Sequence, residues 1–250
     1  MMLRSWNIAI GNFFFRHRNF LFPCIFLLTA CTVKPEIFLG STTLDLLFVG
    51  CGAFEAIVGQ TVRFVTIGFQ YIHRGGKNGK VYANRLVSGG MYGVVRNPMY
   101  LGNALIAIGM AKYMGAPQAM FIVVPLFLFV YQAIIFAEEE YLRNKFGNEY
   151  DEYCARVNRF VPSLRNARRS FAGMRFDWKI SVRKDLGTIV GLTMGLLLIP
   201  VWRIYFHAGW ATAKTAGMTS FAVACTGGLL YGLLLYLKRH KRFIFRSSAV

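Results

Sequence analysis

Long apolar runs separated by short polar segments dominate the chain. They lie at about residues 20–33, 44–72, 99–114, 117–137, 186–206 and 220–237. A helix crosses a bilayer with about 20 predominantly apolar residues, so most of these runs fit one crossing; the first is short and the second long. The pattern predicts an all-α fold, a multi-pass transmembrane helical bundle of about six spans.

Two segments outside the spans combine aromatic and basic residues. Residues 1–18 form a predicted interfacial N-terminal segment. Beyond the fourth span, apolar residues recur at three- and four-residue steps, which predicts a cytoplasmic amphipathic helix lying along the membrane face. These residues are Leu142, Phe146, Tyr150, Tyr153 and Val157. The predicted organisation is the segment 1–18, a transmembrane core 19–162, a basic linker 163–184, and two further transmembrane helices with a basic tail at 185–250.

Composition and charge support a membrane protein. Of the 250 residues, 55% are hydrophobic and only 16% are charged, yet the formal net charge is +18. A nucleic-acid-binding protein would carry such charge on a hydrophilic chain, whereas here Lys and Arg cluster between apolar runs. Those clusters are the N-terminus, residues 73–96, residues 143–184 and the tail. The positive-inside rule therefore predicts cytoplasmic termini, with membrane lipids and not nucleic acid as partners.

Other residue types give weaker signals. Four of the five cysteines fall in apolar runs and the four histidines are scattered, so we predict neither disulfides nor a metal site.

Two glycine patterns also bear on the prediction. The basic, glycine-rich run 73–80 lacks the strand–loop–helix setting of a phosphate-binding loop, so we do not predict one there. Small residues at four-residue spacing predict close helix packing in the last two spans. They are Gly187, Gly191 and Gly195, then Gly228 and Gly232.

The third span has a distinctive beginning. Pro98 suits the first position of a helix, and Asn97 before it is a good N-cap. Arg96 would then lie at the positive end of the helix dipole, where an anion such as a carboxylate or phosphate binds well. Gly90 and the neighbouring glycines would allow the backbone to approach a ligand closely. The alternative is an ordinary membrane-helix entry with a capping Asn and a snorkelling Arg.

An acidic pair follows the fourth span. Because the connection between the third and fourth spans is short, Glu138 and Glu139 should lie at the same end of a helical hairpin as Arg96. Acidic residues at a helix C-terminus oppose the dipole, so a specific partner is expected. One Glu would face the site and the other would hold a nearby arginine: Arg96, Arg143 or Arg159. A ligand with a carboxylate, a ribose diol and a positive centre would suit this site. The alternative is a solvated acidic face.

Two ionisable residues lie inside the second span. A charge at mid-membrane costs on the order of 2.5–3.5 kcal/mol on insertion scales, so both should face protein or a cavity. Glu55 and Arg63 are eight residues apart and are not expected to pair with each other. Glu55 is a candidate liner of a substrate cavity, or else a structural hydrogen-bonding group. Arg63 is a candidate for orienting a polar ligand, or else it snorkels.

The two motifs together resemble the signature of the isoprenylcysteine carboxyl methyltransferase and phospholipid methyltransferase superfamily. The first half is Gly90-x-Tyr92-x-x-x-Arg96-Asn97-Pro98-x-Tyr100-x-Gly102. The second half is Glu138-Glu139-x-x-Leu142, then Phe146-Gly147-x-x-Tyr150-x-x-Tyr153, then Arg159-Phe160-x-Pro162. The halves, at 88–102 and 138–162, stand in the family's order and spacing, although many members have His at the position of Asn97.

The resemblance implies a membrane-embedded enzyme that transfers a methyl group from S-adenosylmethionine to a lipophilic acceptor. Tyr92 and Tyr100 would wall the cofactor pocket. The cofactor-binding residues that it implies are Gly90, Tyr92, Arg96, Asn97, Pro98, Tyr100, Gly102, Glu138 and Glu139. We assign Glu55, Arg63 and Arg159 to the acceptor and catalytic side, with Glu55 as the base that an amine acceptor would need.

The sequence leaves four candidates for the methyl acceptor: a prenylated cysteine, an ethanolamine lipid, another isoprenoid or a small thiol. Two other functions also compete. Membrane sterol reductases resemble this superfamily in fold and would bind a nicotinamide dinucleotide instead. A membrane scaffold would bind no cofactor and would tolerate loss of Arg96.

Overall fold

The computed structural model describes the backbone of residues 2–70 and 83–239, and over these ranges all regular structure is helical. The basic run 73–80 and the tail from residue 240 onward lie outside the described residues. Seven α-helices are present in these ranges: α1 (Met2–Thr32), α2 (Thr42–Phe69), α3 (Pro98–Tyr113), α4 (Pro117–Phe146), α5 (Asn148–Arg156), α6 (Ala167–Ser170) and α7 (Trp178–Arg239).

The N-terminal helix is longer than predicted. α1 is a single helix of 31 residues that joins the predicted interfacial segment to the short first span. Its second half packs on α4 through aromatic rings, with Phe22 stacked 4.5 Å from Phe127. α2 follows after a connection in which Ser41 caps the helix by accepting a hydrogen bond from Leu44 N. Its bounds agree closely with the predicted second span.

The central hairpin begins as predicted, with α3 starting at Pro98 and α4 at Pro117. The turn between them contains Gly115, whose φ of 62° lies in the left-handed region that favours glycine. One detail differs: the side chain of Asn97 does not cap α3. Its amide is directed elsewhere, as described below. α4 continues past the predicted end at residue 137, so the acidic pair lies within the helix.

The predicted amphipathic helix is interrupted. Gly147, with φ of 52°, ends α4 and starts α5, so the apolar positions of that pattern fall on two helices. They still share one cluster, because Tyr150, Tyr153 and Val157 are buried together. Leu142 and Phe146 at the end of α4 pack against this cluster. The bend therefore folds the apolar face inward.

Three helices of the described chain are long and apolar enough to cross a membrane: Thr42–Phe69, Pro117–Phe146 and Trp178–Leu230. A shorter apolar stretch, Phe20–Thr32, lies within α1, and α3 has only 16 residues. The predicted count of six spans is therefore not confirmed. Both of the last two predicted spans lie within α7, whose helical geometry breaks at Gly209, where φ is 76°.

The chain forms two compact units, residues 1–189 and residues 190–250. Within the second, Val201 lies 3.5 Å from the position of a Cβ added at Gly217, and Trp202 packs edge-on against Phe206. The predicted small-residue packing is not found at four of its positions. No described atom lies within 4 Å of a Cβ added at Gly187, Gly191, Gly228 or Gly232.

Close helix packing occurs instead between α2 and α3. A Cβ added at Gly59 would lie 2.5 Å from Gly102 O, and one added at Gly109 would lie 2.5 Å from Gly52 O. The glycines are spaced seven residues apart on each helix, so they fall on one face two turns apart. Backbone approach of this kind is a common means of packing helices in a membrane. The α2–α3 pair is therefore a tightly fitted unit.

A buried ionic network joins this pair to the first turns of α7. The guanidinium of Arg63 binds both carboxylate oxygens of Asp185, and the two side chains are only 5% and 0% exposed. Gln60 Nε2 donates to Asp185 Oδ2 over 2.7 Å. Arg63 also donates to Asn103 Oδ1 on α3 and to Thr188 Oγ1. The bidentate geometry and the added hydrogen bonds offset the desolvation of both charges.

Replacing Gly59 with alanine should lower the thermal unfolding midpoint of the full chain in detergent. The added Cβ would meet backbone atoms of α3, which cannot move without shifting the helix, and overpacking typically costs about 1–3 kcal/mol. Gly50→Ala is the matched control on the same helix, because no described atom lies within 4 Å of its added Cβ. Equal midpoints for the two variants would contradict close α2–α3 packing.

Asp185→Asn should destabilise the protein strongly, because it leaves the buried Arg63 charge uncompensated. Breaking a buried pair in this way costs about 3–5 kcal/mol. Asp151→Asn removes a carboxylate from the exposed pair with Arg143, where N and O are 3.0 Å apart and about 0–1 kcal/mol is expected. Chemical denaturation of both variants measures the difference. Similar losses would show that the Arg63–Asp185 network is not a structural core.

Candidate functional site

The centre of the site is the carboxylate of Glu139, near the end of α4. Arg159 binds it with two nitrogens, one of them Nε at 3.0 Å from Oε1. Asn97 Nδ2 donates to Oε1 at 3.5 Å, and Arg96 Nη1 lies 3.7 Å from the same oxygen. Glu139 is only 5% exposed, and burying its carboxylate without these partners would be costly in free energy. We call this group the Glu139 clamp: Glu139, Arg159, Asn97 and Arg96.

Backbone hydrogen bonds hold the loop before α3 beside the loop after α5. Arg96 N donates to Asn158 O over 2.8 Å, and Ser163 N donates to Val94 O over 2.9 Å. The Tyr153 hydroxyl donates to Tyr92 O over 2.7 Å. Burial raises the pKa of Tyr153, which keeps this phenol protonated as a donor. The two halves of the sequence motif are thus joined directly.

Arg96 is held in place without using all its donors. Its Nη1 donates to Cys154 Sγ over 3.0 Å in addition to its approach to Glu139. The side chain is 16% exposed, and its Nε is buried without a hydrogen-bond partner among the described residues. Because unpaired buried donors are costly, this N–H is a candidate for binding a ligand acceptor.

Glu138 is arranged differently from its neighbour. Its Oε1 accepts a hydrogen bond of 2.7 Å from the Tyr100 hydroxyl, and Arg18 Nη1 lies 3.5 Å from that hydroxyl. Within the described residues Tyr100 is its one hydrogen-bond donor, so the second oxygen is available. The Tyr100 ring is braced by Tyr131, 5.3 Å away. Arg18 was missed as a site residue because its basic, aromatic surroundings resemble a membrane-surface segment.

The glycines of the first motif serve packing. The space beside Gly93 is filled by Ser170, and Gly90 combines a φ of 58° with Met174 Sδ 3.4 Å from an added Cβ. At Gly102 an added Cβ would lie 2.6 Å from Cγ of Arg63. Protein atoms thus occupy the space beside Gly93 and Gly102, whereas the predicted role of Gly90 in approaching a ligand stays a prediction. Tyr92 is buried beneath the same loop.

The two ionisable residues of α2 have protein partners. Glu55 Oε2 lies 2.6 Å from Lys112 Nζ, with the side chains 22% and 28% exposed. Arg63 belongs to the buried network with Asp185, so the snorkelling alternative is wrong for it. As predicted, the two do not pair with each other. Asp185 was missed because it lies 122 residues further along the chain, at the edge of the basic linker.

The arrangement can bind a ligand carrying both a negative and a hydrogen-donating group. Arg96 offers a buried N–H at the start of α3, where the helix dipole also favours an anion. Glu138 offers a carboxylate oxygen, which accepts from a hydroxyl or an ammonium. The Glu139 clamp fixes Arg96 against the helix that carries Glu138. The site is thus formed by the adjoining ends of α3 and α4, as the hairpin predicted.

Comparison with known proteins gives one informative result. No solved structure matches the chain. Residues 53–149 match the family model described as phospholipid methyltransferase, a range that contains most of α2, the α3–α4 hairpin, the first motif and the acidic pair. This confirms the resemblance seen in the paired motifs. Over residues 53–149 the chain is thus similar to the phospholipid methyltransferases, a family grouped with the isoprenylcysteine carboxyl methyltransferases of membranes.

Proposed function

We propose that the protein is an integral membrane methyltransferase that moves a methyl group from S-adenosylmethionine to a lipophilic acceptor. The supporting observation is that Arg96 and Glu138 lie at the adjoining ends of α3 and α4. Within the described residues, the buried Nε of Arg96 has no hydrogen-bond partner and one Glu138 oxygen accepts no hydrogen bond. These groups match the carboxylate of the cofactor and its ribose hydroxyls or amino group. The family match supports the same reaction class.

Arg96 supplies the anion-binding part of this site. In the proposal its Nε–H donates to the cofactor carboxylate, together with backbone N–H groups at the start of α3, where Pro98 itself lacks one. The contact to Glu139 and the hydrogen bond to Cys154 fix the guanidinium before the ligand arrives. Preorganisation of this kind reduces the entropy that binding must overcome.

The two acidic residues, Glu138 and Glu139, have different roles in this proposal. Glu139 is surrounded by Arg159, Asn97 and Arg96, so its oxygens are engaged and its role is to position those side chains. Glu138 keeps one oxygen for the cofactor while Tyr100 orients the other. We therefore assign cofactor contact to Glu138 and positioning to Glu139, with Arg159 as its main partner.

The bound cofactor supplies an activated methyl group, and the chain supplies placement. Holding donor and acceptor in line can lower the barrier by several kcal/mol. Tyr100, fixed by Glu138 and by the Tyr131 ring, gives the site an aromatic wall that suits a cationic sulfur. Glu55 and Arg63 are engaged by Lys112 and Asp185, so in this proposal they stabilise the bundle and do not contact the acceptor.

The acceptor is a molecule that reaches the site from the membrane, with a carboxylate, amine or thiol to be methylated. The basic segments support a cytoplasmic location for the site and both termini. Among the competing functions, reduction by a nicotinamide cofactor would require contacts for a second nucleotide. The family match and the location of Arg96 and Glu138 at one end of the α3–α4 hairpin favour methyl transfer over both reduction and a scaffold role.

Calorimetric titration of the purified chain with S-adenosylhomocysteine, the demethylated product, should show saturable binding. Glu138→Gln should weaken it about 10- to 100-fold, the equivalent of a charge-assisted hydrogen bond. Its thermal unfolding midpoint should stay near that of the wild type, because the amide oxygen can still accept from Tyr100.

Glu139→Gln is the matched variant one residue away. It should lower the unfolding midpoint as well as the affinity, because Arg159 and Arg96 lose a buried anionic partner. If Glu138→Gln binds like the wild type, the assigned roles are wrong. If the wild type binds neither S-adenosylmethionine nor its product, the proposed function is overturned.

A further inference from the structure

The basic linker, residues 163–184, has no role in the proposed reaction; it is called the basic segment below. It carries seven cationic side chains and one acidic one, Asp177. The carboxylate of Asp177 is engaged locally, since its Oδ1 accepts a hydrogen bond of 3.0 Å from Ile180 N at the start of α7. The cationic side chains are Arg165, Arg168, Arg169, Arg175, Lys179, Arg183 and Lys184.

Contacts with α2 define the position of this segment along that helix. Asp177 N donates to Gly68 O over 2.8 Å, and Ser181 Oγ donates to Phe64 O over 2.8 Å. The Phe176 ring lies 5.2 Å from that of Phe69. These contacts are all with the last turns of the candidate span Thr42–Phe69. The segment therefore lies where that apolar helix ends, which is the head-group level of a bilayer.

The segment presents charge and apolar surface together. Arg165, Arg168, Arg169 and Arg175 are exposed, and none forms an ion pair with another described residue. Just before Arg165, Leu164 is 78% exposed, and at the start of α7 Trp178 is 55% exposed. Tryptophan beside basic residues is typical of a membrane interface, where the ring enters the head-group region and the charges meet lipid phosphates.

We propose that the basic segment is a docking surface for anionic phospholipid head groups. Charge complementarity selects the partner, because four guanidiniums without an ion pair among the described residues favour phosphates that lack a neutralising choline or ethanolamine. The exposed Leu164 and Trp178 favour a bilayer surface over a soluble polyanion, since both side chains are removed from water only at an interface. Loose electrostatic binding of this kind weakens as salt increases.

The test uses the full chain in nanodiscs of equal phosphatidylcholine and phosphatidylglycerol, released for native mass spectrometry. The wild type should retain phosphatidylglycerol in preference to phosphatidylcholine. The double variant Arg168→Gln/Arg169→Gln should lose much of that preference, up to about fivefold for each arginine removed. The control Lys34→Gln/Arg156→Gln also removes two exposed charges, but outside the segment, and should retain the preference.

Equal retention of the two lipids by the wild type would overturn the proposal. So would equal loss of preference in the double variant and the control, because net charge alone would then explain the effect. Binding of soluble polyglutamate that is abolished in the double variant, without any lipid preference, would assign the surface to an acidic protein instead. None of these outcomes depends on methyl transfer.

The same segment packs over the loop of the proposed cofactor site, through Ser170 beside Gly93 and Met174 beside Gly90. We therefore expect phosphatidylglycerol to raise the affinity for S-adenosylhomocysteine, an expectation that rests on the proposed function. Calorimetry in nanodiscs with and without phosphatidylglycerol measures it. Lipid retention with unchanged affinity would remove this coupling, whereas absence of any binding in either nanodisc would count against the cofactor site itself.

Discussion

The carboxylate of Glu139 is the point on which the site depends. It is buried, so its charge is costly without partners, and these come from two parts of the chain: Arg159 after α5, and Asn97 and Arg96 before α3. Satisfying one buried charge therefore places an arginine at the start of α3 beside the end of α4. Among the described residues, the Arg96 Nε–H and the second oxygen of Glu138 have no hydrogen-bond partner, and we propose that they bind the ligand. In this account Glu139 has a structural role: it holds Arg96 against the helix that carries Glu138, the residue assigned to ligand contact.

Contacts among α2, α3 and the first turns of α7 support this junction. Glycines let α2 and α3 approach at backbone distance, and the pair Arg63–Asp185 secures both helices to the first turns of α7. The latter pair reaches beyond residues 53–149, the range of the family match. The first turns of α7, up to Thr188, are thus part of the folded core of residues 1–189. The linker itself covers the end of α2 and the loop before α3.

Local sequence chemistry predicted the local structure well. Pro98 and Pro117 mark the helix starts, and the short turn between them placed Arg96 at the same end as Glu138 and Glu139. Contacts between distant residues were not predictable, because periodicity shows which face is apolar but not which residue it meets. Asp185 is the main example. The seven-residue spacing of glycines on α2 and α3 was a usable signal, whereas the four-residue stripe in α7 packs on no described atom at Gly187 or Gly191.

The central claim is that Arg96 and Glu138 bind S-adenosylmethionine for transfer of its methyl group to a lipid. The most direct measurement supplies purified protein with labelled S-adenosylmethionine and a membrane lipid extract, followed by mass spectrometry of the labelled product. The account predicts label in a lipophilic product with the wild type and little or none with Glu138→Gln. Absence of labelled lipid from the wild type, in an extract that a known membrane methyltransferase labels, would contradict it.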